Sequence, residues 1–377
     1  MHKRIVVVLF WSLLLLFASC KPEKQTLSIK GEISNLDTSF VLVSYLFSDS
    51  LVIDTVKVDN KGKFRYQNSI DTFTVFTFYF NQFNSSIAVF AEKNDNLKIS
   101  GDAVYPELIH VTGSDINDEL TDFKKANEDI LRQRAELYQT LDQEVQNGDS
   151  AANILSYDDR TARVNVLNHE LMHHAEEHIK EHSNKKSSLI IINDLFAHGD
   201  NPQVLQRVMG YLSKDLSSSP MAVSLSVYLE KLHRSAEGSF MPYFTLKDVD
   251  DKELKSSDLI GKYVLLSFVS VSGDESRKNI ESLKDTYHQL KKDSVHFVSI
   301  YIDSETIPVA YPKTDSIPWT VIAEKKSWAS DLVDKYNIPI VPYNILIDPK
   351  GIIKERNIAA QDVKFAINKK ASEQIAK

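Results

Sequence analysis

The spacing of apolar residues changes twice along this chain, and each change excludes a class of structure. Residues 26–33 (TLSIKGEI), 39–45 (SFVLVSY) and 51–58 (LVIDTVKV) alternate apolar and polar positions; Asp59-Asn60-Lys61-Gly62 interrupts the pattern and Lys63-Phe64-Arg65-Tyr66 resumes it. A period of two gives an extended strand one apolar face and gives a helix none. Many short strands separated by turn residues predict an antiparallel β-sandwich over residues 26–116. From 117 to 236 the period lengthens. Leu120, Phe123, Ile130, Leu131, Leu137 and Leu141 fit one helical face that ends at Asn147-Gly148-Asp149. Further helices are expected near 157–182, 187–197, 202–214 and 219–233, with Pro202 and Pro220 at two starts, where a missing N–H costs little. From 237 to 377 apolar strands alternate with helical stretches. Tyr263-Val264-Leu265-Leu266-Ser267-Phe268-Val269 is apolar on both faces, as a buried strand must be. That alternation predicts an α/β domain with a mainly parallel sheet covered on both sides.

The leader bears on location. Met1-His2-Lys3-Arg4 is basic, residues 5–17 (IVVVLFWSLLLLF) are apolar, and Ala18-Ser19-Cys20 follow. A basic start, a short apolar core and small residues before a cleavage point make a secretory signal, too short to span a bilayer. Leu16-Phe17-Ala18-Ser19-Cys20 resembles a bacterial lipobox, with Phe17 a less usual residue. The resemblance implies removal of residues 1–19, lipid on Cys20 and a polar tether over 20–25. An ordinary secretory signal with an incidental cysteine is the alternative. Lys21, where an Asp would retain the protein at the inner membrane, points to the outer membrane and a periplasm-facing protein.

Cys20 is the only cysteine in 377 residues. No disulfide can form within the chain, so its stability comes from cores. With 42% hydrophobic and 25% charged residues the composition is that of a globular protein. The net charge of −8 and the absence of a basic cluster argue against a nucleic-acid partner. No cofactor is called for.

Two stretches resemble known families. Ile29-Lys30-Gly31-Glu32-Ile33, the run from Ile53 to Phe64 and Val111-Thr112-Gly113-Ser114-Asp115 resemble the N-terminal β domain of thioredoxin-like lipoproteins of Gram-negative bacteria. Phe240-Met241-Pro242-Tyr243-Phe244, the strand ending at Phe268 and the run from Tyr336 to Gly351 resemble the exported TlpA-like and peroxiredoxin-related branch of the thioredoxin superfamily. That resemblance implies a thioredoxin-like fold, a cis bond before Pro342 and a peptide-binding groove beside Val341 and Pro342. In the family, Trp-x-x-x-Cys-x-x-Cys-Arg follows the strand. Here the stretch reads Val269-Ser270-Val271-Ser272-Gly273-Asp274-Glu275-Ser276-Arg277, with Gly273 and Ser276 at the two thiol positions. Thiol–disulfide exchange needs a thiolate to attack and a thiol to leave; glycine supplies neither, and a serine hydroxyl needs a partner base. Ser272-Gly273-Asp274-Glu275 also has the Ser-x-x-Glu spacing of a capping box. It reads either as a well-capped helix or as an acidic spot, Asp274 and Glu275, that meets a partner. The expectation is a redox-inactive, membrane-anchored protein that binds an envelope protein or peptide; thiol–disulfide or antioxidant activity by family membership is the alternative.

A third motif competes. His169-Glu170-Leu171-Met172-His173 matches H-E-x-x-H, in which two histidines one helical turn apart hold zinc and the glutamate acts as base. A catalytic site needs a third ligand, and the stretch is rich in Asn, Glu, His and Lys, as a solvated helix is. Zinc peptidase is the second alternative.

Overall fold

The computed structural model describes residues 26–81, 85–147, 151–197, 199, 201–290, 295–303 and 317–368. The expected signal, Cys20 and the tether lie outside them. The chain forms two compact units, one ending at Ile191 and one starting at Ile192, a division that falls inside the stretch read above as one helical region.

The first unit is a sandwich of two four-stranded sheets. Its strands are β1 (Leu27–Ser34), β2 (Phe40–Phe47), β3 (Ser50–Lys57), β4 (Lys63–Asn68), β5 (Thr74–Phe80), β6 (Ser85–Ala91), β7 (Asn96–Asp102) and β8 (His110–Thr112). The strand orders are β4-β1-β7-β8 and β3-β2-β5-β6. Alternate residues of both sheets enter one core, among them Leu27, Ile29, Val41, Val43, Phe76, Phe78, Val89, Leu97 and Ile99. The period of two predicts this. Pairings are antiparallel with one exception: β1 and β7 run parallel, from Ser28↔Asn96 to Ser34↔Asp102. The chain reverses at each connection, so the seventh strand points with the first and lies beside it. Gly31 is fixed by packing, because a Cβ there would lie 2.0 Å from the ring of Phe64, its register partner.

Helices α1 (Asp115–Ala126), α2 (Glu128–Asn147), α3 (Ala151–Glu181) and α4 (Lys186–Leu195) follow. The single helix expected from Leu120 to Leu141 is broken at Asn127. That side chain is buried, donates to the Phe123 carbonyl at 2.8 Å and faces His174 Nδ1 at 2.7 Å. An Asn bonding back to its own helix competes with the helical ladder. Asn117 and Thr121 dock α1 on the sandwich through the Phe90 and Val111 carbonyls, at 2.6 Å each.

The second unit begins with α5 (Pro202–Met209), α6 (Lys214–Ser217) and α7 (Pro220–Arg234). Pro202 and Pro220 start their helices, after N-caps Asn201 and Ser219 that accept from Gln203 and Ala222 N–H. A hairpin of β9 (Thr245–Lys247) and β10 (Glu253–Lys255) leads to a five-stranded sheet ordered β13-β12-β11-β14-β15. Its strands are β11 (Tyr263–Val269), β12 (Val295–Tyr301), β13 (Thr320–Ala323), β14 (Tyr343–Ile347) and β15 (Ile353–Arg356), with α8 (Asp274–Gln289) after β11 and α9 (Asp331–Tyr336) before β14. A final helical turn, α10, covers 363–368. The β11 side chains divide by parity: Val264, Leu266 and Phe268 enter the core on one face, Leu265 and Val269 the core on the other. The sheet is mixed, which corrects the mainly parallel expectation. β11·β12 and β12·β13 are parallel, whereas β11·β14 and β14·β15 are antiparallel. The tight turn at Asp348–Gly351 permits only a hairpin there. This is the thioredoxin-like fold that the resemblance implies.

Candidate functional site

The parallel strands β11, β12 and β13 all end at one edge of the sheet, and β14, running the other way, begins there. That edge is where a two-sided sheet exposes loops for chemistry. It gathers the loop 270–273 and the first turn of α8, Asp303 after β12, and Val341 and Pro342 before β14. Phe268 pairs with Tyr343, so the loop leaves β11 next to Pro342. The Val341–Pro342 peptide is cis. Both residues are half-buried. Ile340 and Trp328, on the segments that reach this edge, are 57% and 51% exposed.

The loop is tied inward by hydrogen bonds. Ser270 N–H donates to Ser276 Oγ at 3.0 Å. The Ser270 hydroxyl donates to Asp303 Oδ1 at 2.6 Å, and Ser272 N–H donates to Ser270 Oγ at 3.2 Å. Val271 N–H is shared between the two Asp303 carboxylate oxygens, at 3.1 and 3.0 Å. Ser276 is 2% exposed and Asp303 6%. Burying a carboxylate is tolerated when N–H and O–H donors meet it, as those of Ser270 and Val271 do here. Sequence reasoning missed Asp303 and Ser270. The end of an apolar parallel strand was the available signal for Asp303.

Ser276 is the residue that the resemblance sets at the second thiol position. Its oxygen accepts a backbone N–H, and Asp303 is committed to Ser270 and Val271, so the arrangement lacks the nucleophile–base pair of an activated serine. Gly273 occupies the first position with φ −87° and ψ 125° as the N-cap of α8, with no side-chain cap bond. This corrects the capping box: Ser272 lies one residue before the cap, and its N–H is engaged by Ser270. Glu275 pairs instead with Lys278 at 2.9 Å, and Asp274 pairs with Arg277. Both acids are exposed in the first helical turn, where the helix dipole favours them. A Cβ built on Gly273 would meet Ser276 Oγ at 3.4 Å and Ser270 Cβ at 3.8 Å, ordinary contacts that leave room for a side chain.

Below the loop, Asn279 and Asn344 exchange amide hydrogen bonds at 3.2 and 2.9 Å; Asn279 also donates to Ser267 Oγ, and Asn344 to the Ile358 carbonyl. A cleft of about 250 Å³ opens beside α8, lined by Ser270, Ser276, Arg277, Glu281, Lys284 and Tyr301. Burial, with Asp303 and Glu281 adding to it, pushes the Tyr301 phenol up to about 12, so it stays protonated at neutral pH.

The H-E-x-x-H stretch falls on α3 with His169, Glu170 and His173 exposed. The buried stripe of that helix is Val164, Leu171, Ala175 and Ile179, which turns the two motif histidines to the opposite side. Among the described residues no three His, Cys, Asp or Glu side chains converge as a metal site would require. The later histidines pack inward. His178 stacks on His182 at 4.1 Å and meets Phe123 edge-on at 5.2 Å. Burial, and then His182, hold the His178 pKa below its ordinary value.

Comparison with known proteins agrees with this division. Residues 238–356 match the AhpC/TSA family, and residues 27–120 match a domain of unknown function, DUF4369. The thiol-disulfide oxidoreductase ResA of Bacillus subtilis is 27% identical over 117 residues, 31% of this chain and 64% of that protein. The chain thus spans less than two thirds of that relative's length. The chloroplastic peroxiredoxin Q of Suaeda salsa is 27% identical over 165 residues, 38% of this chain and 76% of that protein. Among solved structures, the thioredoxin domain of a Bacteroides vulgatus thiol-disulfide oxidoreductase is 25% identical, with a TM-score of 0.31, covering 36% of this chain and 96% of that one. A thioredoxin-like protein from Bacteroides caccae is 18% identical, with a TM-score of 0.42, covering 57% and 86%.

Proposed function

We propose that this thioredoxin-like domain carries out no thiol chemistry of its own and binds an envelope protein or peptide along the groove beside Val341 and Pro342. We further propose that the chain is an outer-membrane lipoprotein facing the periplasm, held by lipid on Cys20. One observation carries the redox-inactive reading. The two positions that hold the family's thiols are Gly273 and a buried Ser276 whose oxygen accepts the Ser270 N–H. A dithiol cycle needs two sulfurs, and Cys20 is the single cysteine in the chain. The groove reading is supported by the exposed Ile340 beside Val341 and Pro342 at the edge where the parallel strands end. The relatives' names favour a second reading, thiol–disulfide exchange or peroxide reduction, and insulin-disulfide reduction by the unaltered chain separates the two.

The binding role is tested by a photo-crosslinking residue at Ile340 in cells that carry the intact chain, with one at exposed Lys364 as control. Discrete adducts from position 340 and none from 364 are expected. Identical patterns at both positions, or none at either, would remove the groove from the account.

A further inference from the structure

The two outer faces of the sandwich differ in chemistry. On the sheet β4-β1-β7-β8, Arg65, Lys30 and Lys98 are neighbours in register, and Glu32 pairs with Lys63 at 3.6 Å. That face is charged and hydrated. On the other sheet, Val41 and Val43 of β2 point into the core. The alternate residues Leu42, Ser44 and Leu46 therefore lie on the outer side, opposite Thr55, Ile53 and Leu51 of β3, with Ser44 covered there and donating to the Tyr79 hydroxyl at 3.3 Å. None of these six carries a charge. Leu46, Leu51 and Ile53 are 69%, 64% and 56% exposed; Phe47, 60% exposed, shares the parity of Val41 and Val43 and lies on the other face at the hairpin's end. β3 is an edge strand, so the patch has no strand covering that side. An apolar patch of this kind marks an interaction surface.

The position of the patch selects its occupant. Asn81, at the end of β5, donates to the Asn35 carbonyl at 3.2 Å and accepts the Asp37 N–H at 3.0 Å. These bonds place the end of β5 beside the end of β1. β2 is antiparallel to β5, so the β2–β3 hairpin lies at the opposite end of the sandwich, where β1 begins at Leu27. The exposed Phe73, which leads into β5, lies at that end too. Leu27 is seven residues from Cys20. A chain of that length spans at most roughly 25 Å. The end of the hairpin that carries these apolar side chains thus lies at the end of the domain that a lipid on Cys20 would hold against a bilayer.

We infer that the β2–β3 hairpin seats Leu46, Phe47, Leu51 and Ile53 in the lipid–water interface of the membrane that holds Cys20. The inference rests on the lipid-anchor reading. Burying these side chains returns apolar surface from water, and a second membrane signal makes anchoring by lipid stable. Ser48 and Asp49, the turn residues with φ of 47° and 62°, are polar and keep the tip at headgroup depth. Contact is therefore shallow and made by the end of the hairpin, with Phe47 on one face and Leu46, Leu51 and Ile53 on the other.

The test uses the intact lipidated chain in vesicles of phosphatidylethanolamine and phosphatidylglycerol. With the Cys20 sulfur blocked by its lipid, an introduced cysteine is the one free thiol. Phe47→Cys and Ile53→Cys are labelled with an environment-sensitive fluorophore, with Asn60→Cys, in the turn at the far end of the sandwich, as control. The expected result is blue-shifted emission and several-fold stronger quenching by nitroxide lipids at 47 and 53 than at 60. Flotation with vesicles but equal, water-like emission at all three sites would overturn this inference and leave the anchor standing. Failure to float would overturn both. Self-quenching at 47 that rises with protein concentration without lipid would identify a second copy as the occupant and also overturn it.

Discussion

The loop after β11 has the kind of scaffold a reactive site uses and holds no cysteine; α3 has ligand-type residues and lacks the scaffold. In the loop, a buried carboxylate, a buried hydroxyl and the cis Val341–Pro342 peptide meet at the edge where parallel strands end, yet Gly273 and Ser276 occupy the positions that the resemblance gives to thiols. On α3, His169 and His173 have the zinc spacing, but the buried stripe through Leu171 and Ala175 turns them to solvent. A motif is a statement about spacing along one element, whereas a site needs groups from several elements to converge.

Putting the atoms back makes the sharpest test of the comparison. Gly273→Cys with Ser276→Cys should take insulin-disulfide reduction from background to clear turnover, because position 273 has ordinary backbone angles and room for a side chain. No gain from a folded double variant would mean that the loop differs from a redox loop in more than its sulfurs. The next largest effect belongs to Asp303→Ala, which strands the Ser270 hydroxyl and the Val271 N–H. A loss of about 2–3 kcal/mol in urea unfolding is expected, and a neutral result would show that the network does not hold the loop. Ser276→Ala removes one acceptor and should cost about 1–2 kcal/mol by the same measurement, with no change in redox assays. The pH dependence centred on His178 is smaller. Its folded pKa lies below the unfolded value of about 6.5. The unfolded chain therefore binds the proton more readily, and stability is full above that value and declines as pH falls through the depressed folded value. His178→Phe should flatten the decline; an unchanged profile would assign it elsewhere. His169→Ala with His173→Ala should change neither Tm nor zinc content after native purification, and stoichiometric zinc lost in the variant would reverse the reading of α3.

Much of the architecture was legible because single residues report their environment through periodicity. The alternation in β1 and the doubly apolar run of β11 placed the sandwich and the central strand. The break at Asn127 was not legible, since its cause is a buried side chain meeting His174 from another helix. Nor was the parallel β1·β7 pair, which depends on the path between them. Ser272 fitted a capping spacing, yet the helix starts one residue later because Ser272 N–H and the loop are held by Ser270 and Asp303, distant in sequence. The absence of cysteine from residues 270–277 could be read directly. The network that fills their place could not, because Asp303 comes from the next strand.

Insulin-disulfide reduction by the intact, unaltered chain tests the central claim most directly. The account predicts no turnover above background with dithiothreitol as reductant. Clear turnover that Ser276→Ala abolishes would contradict it.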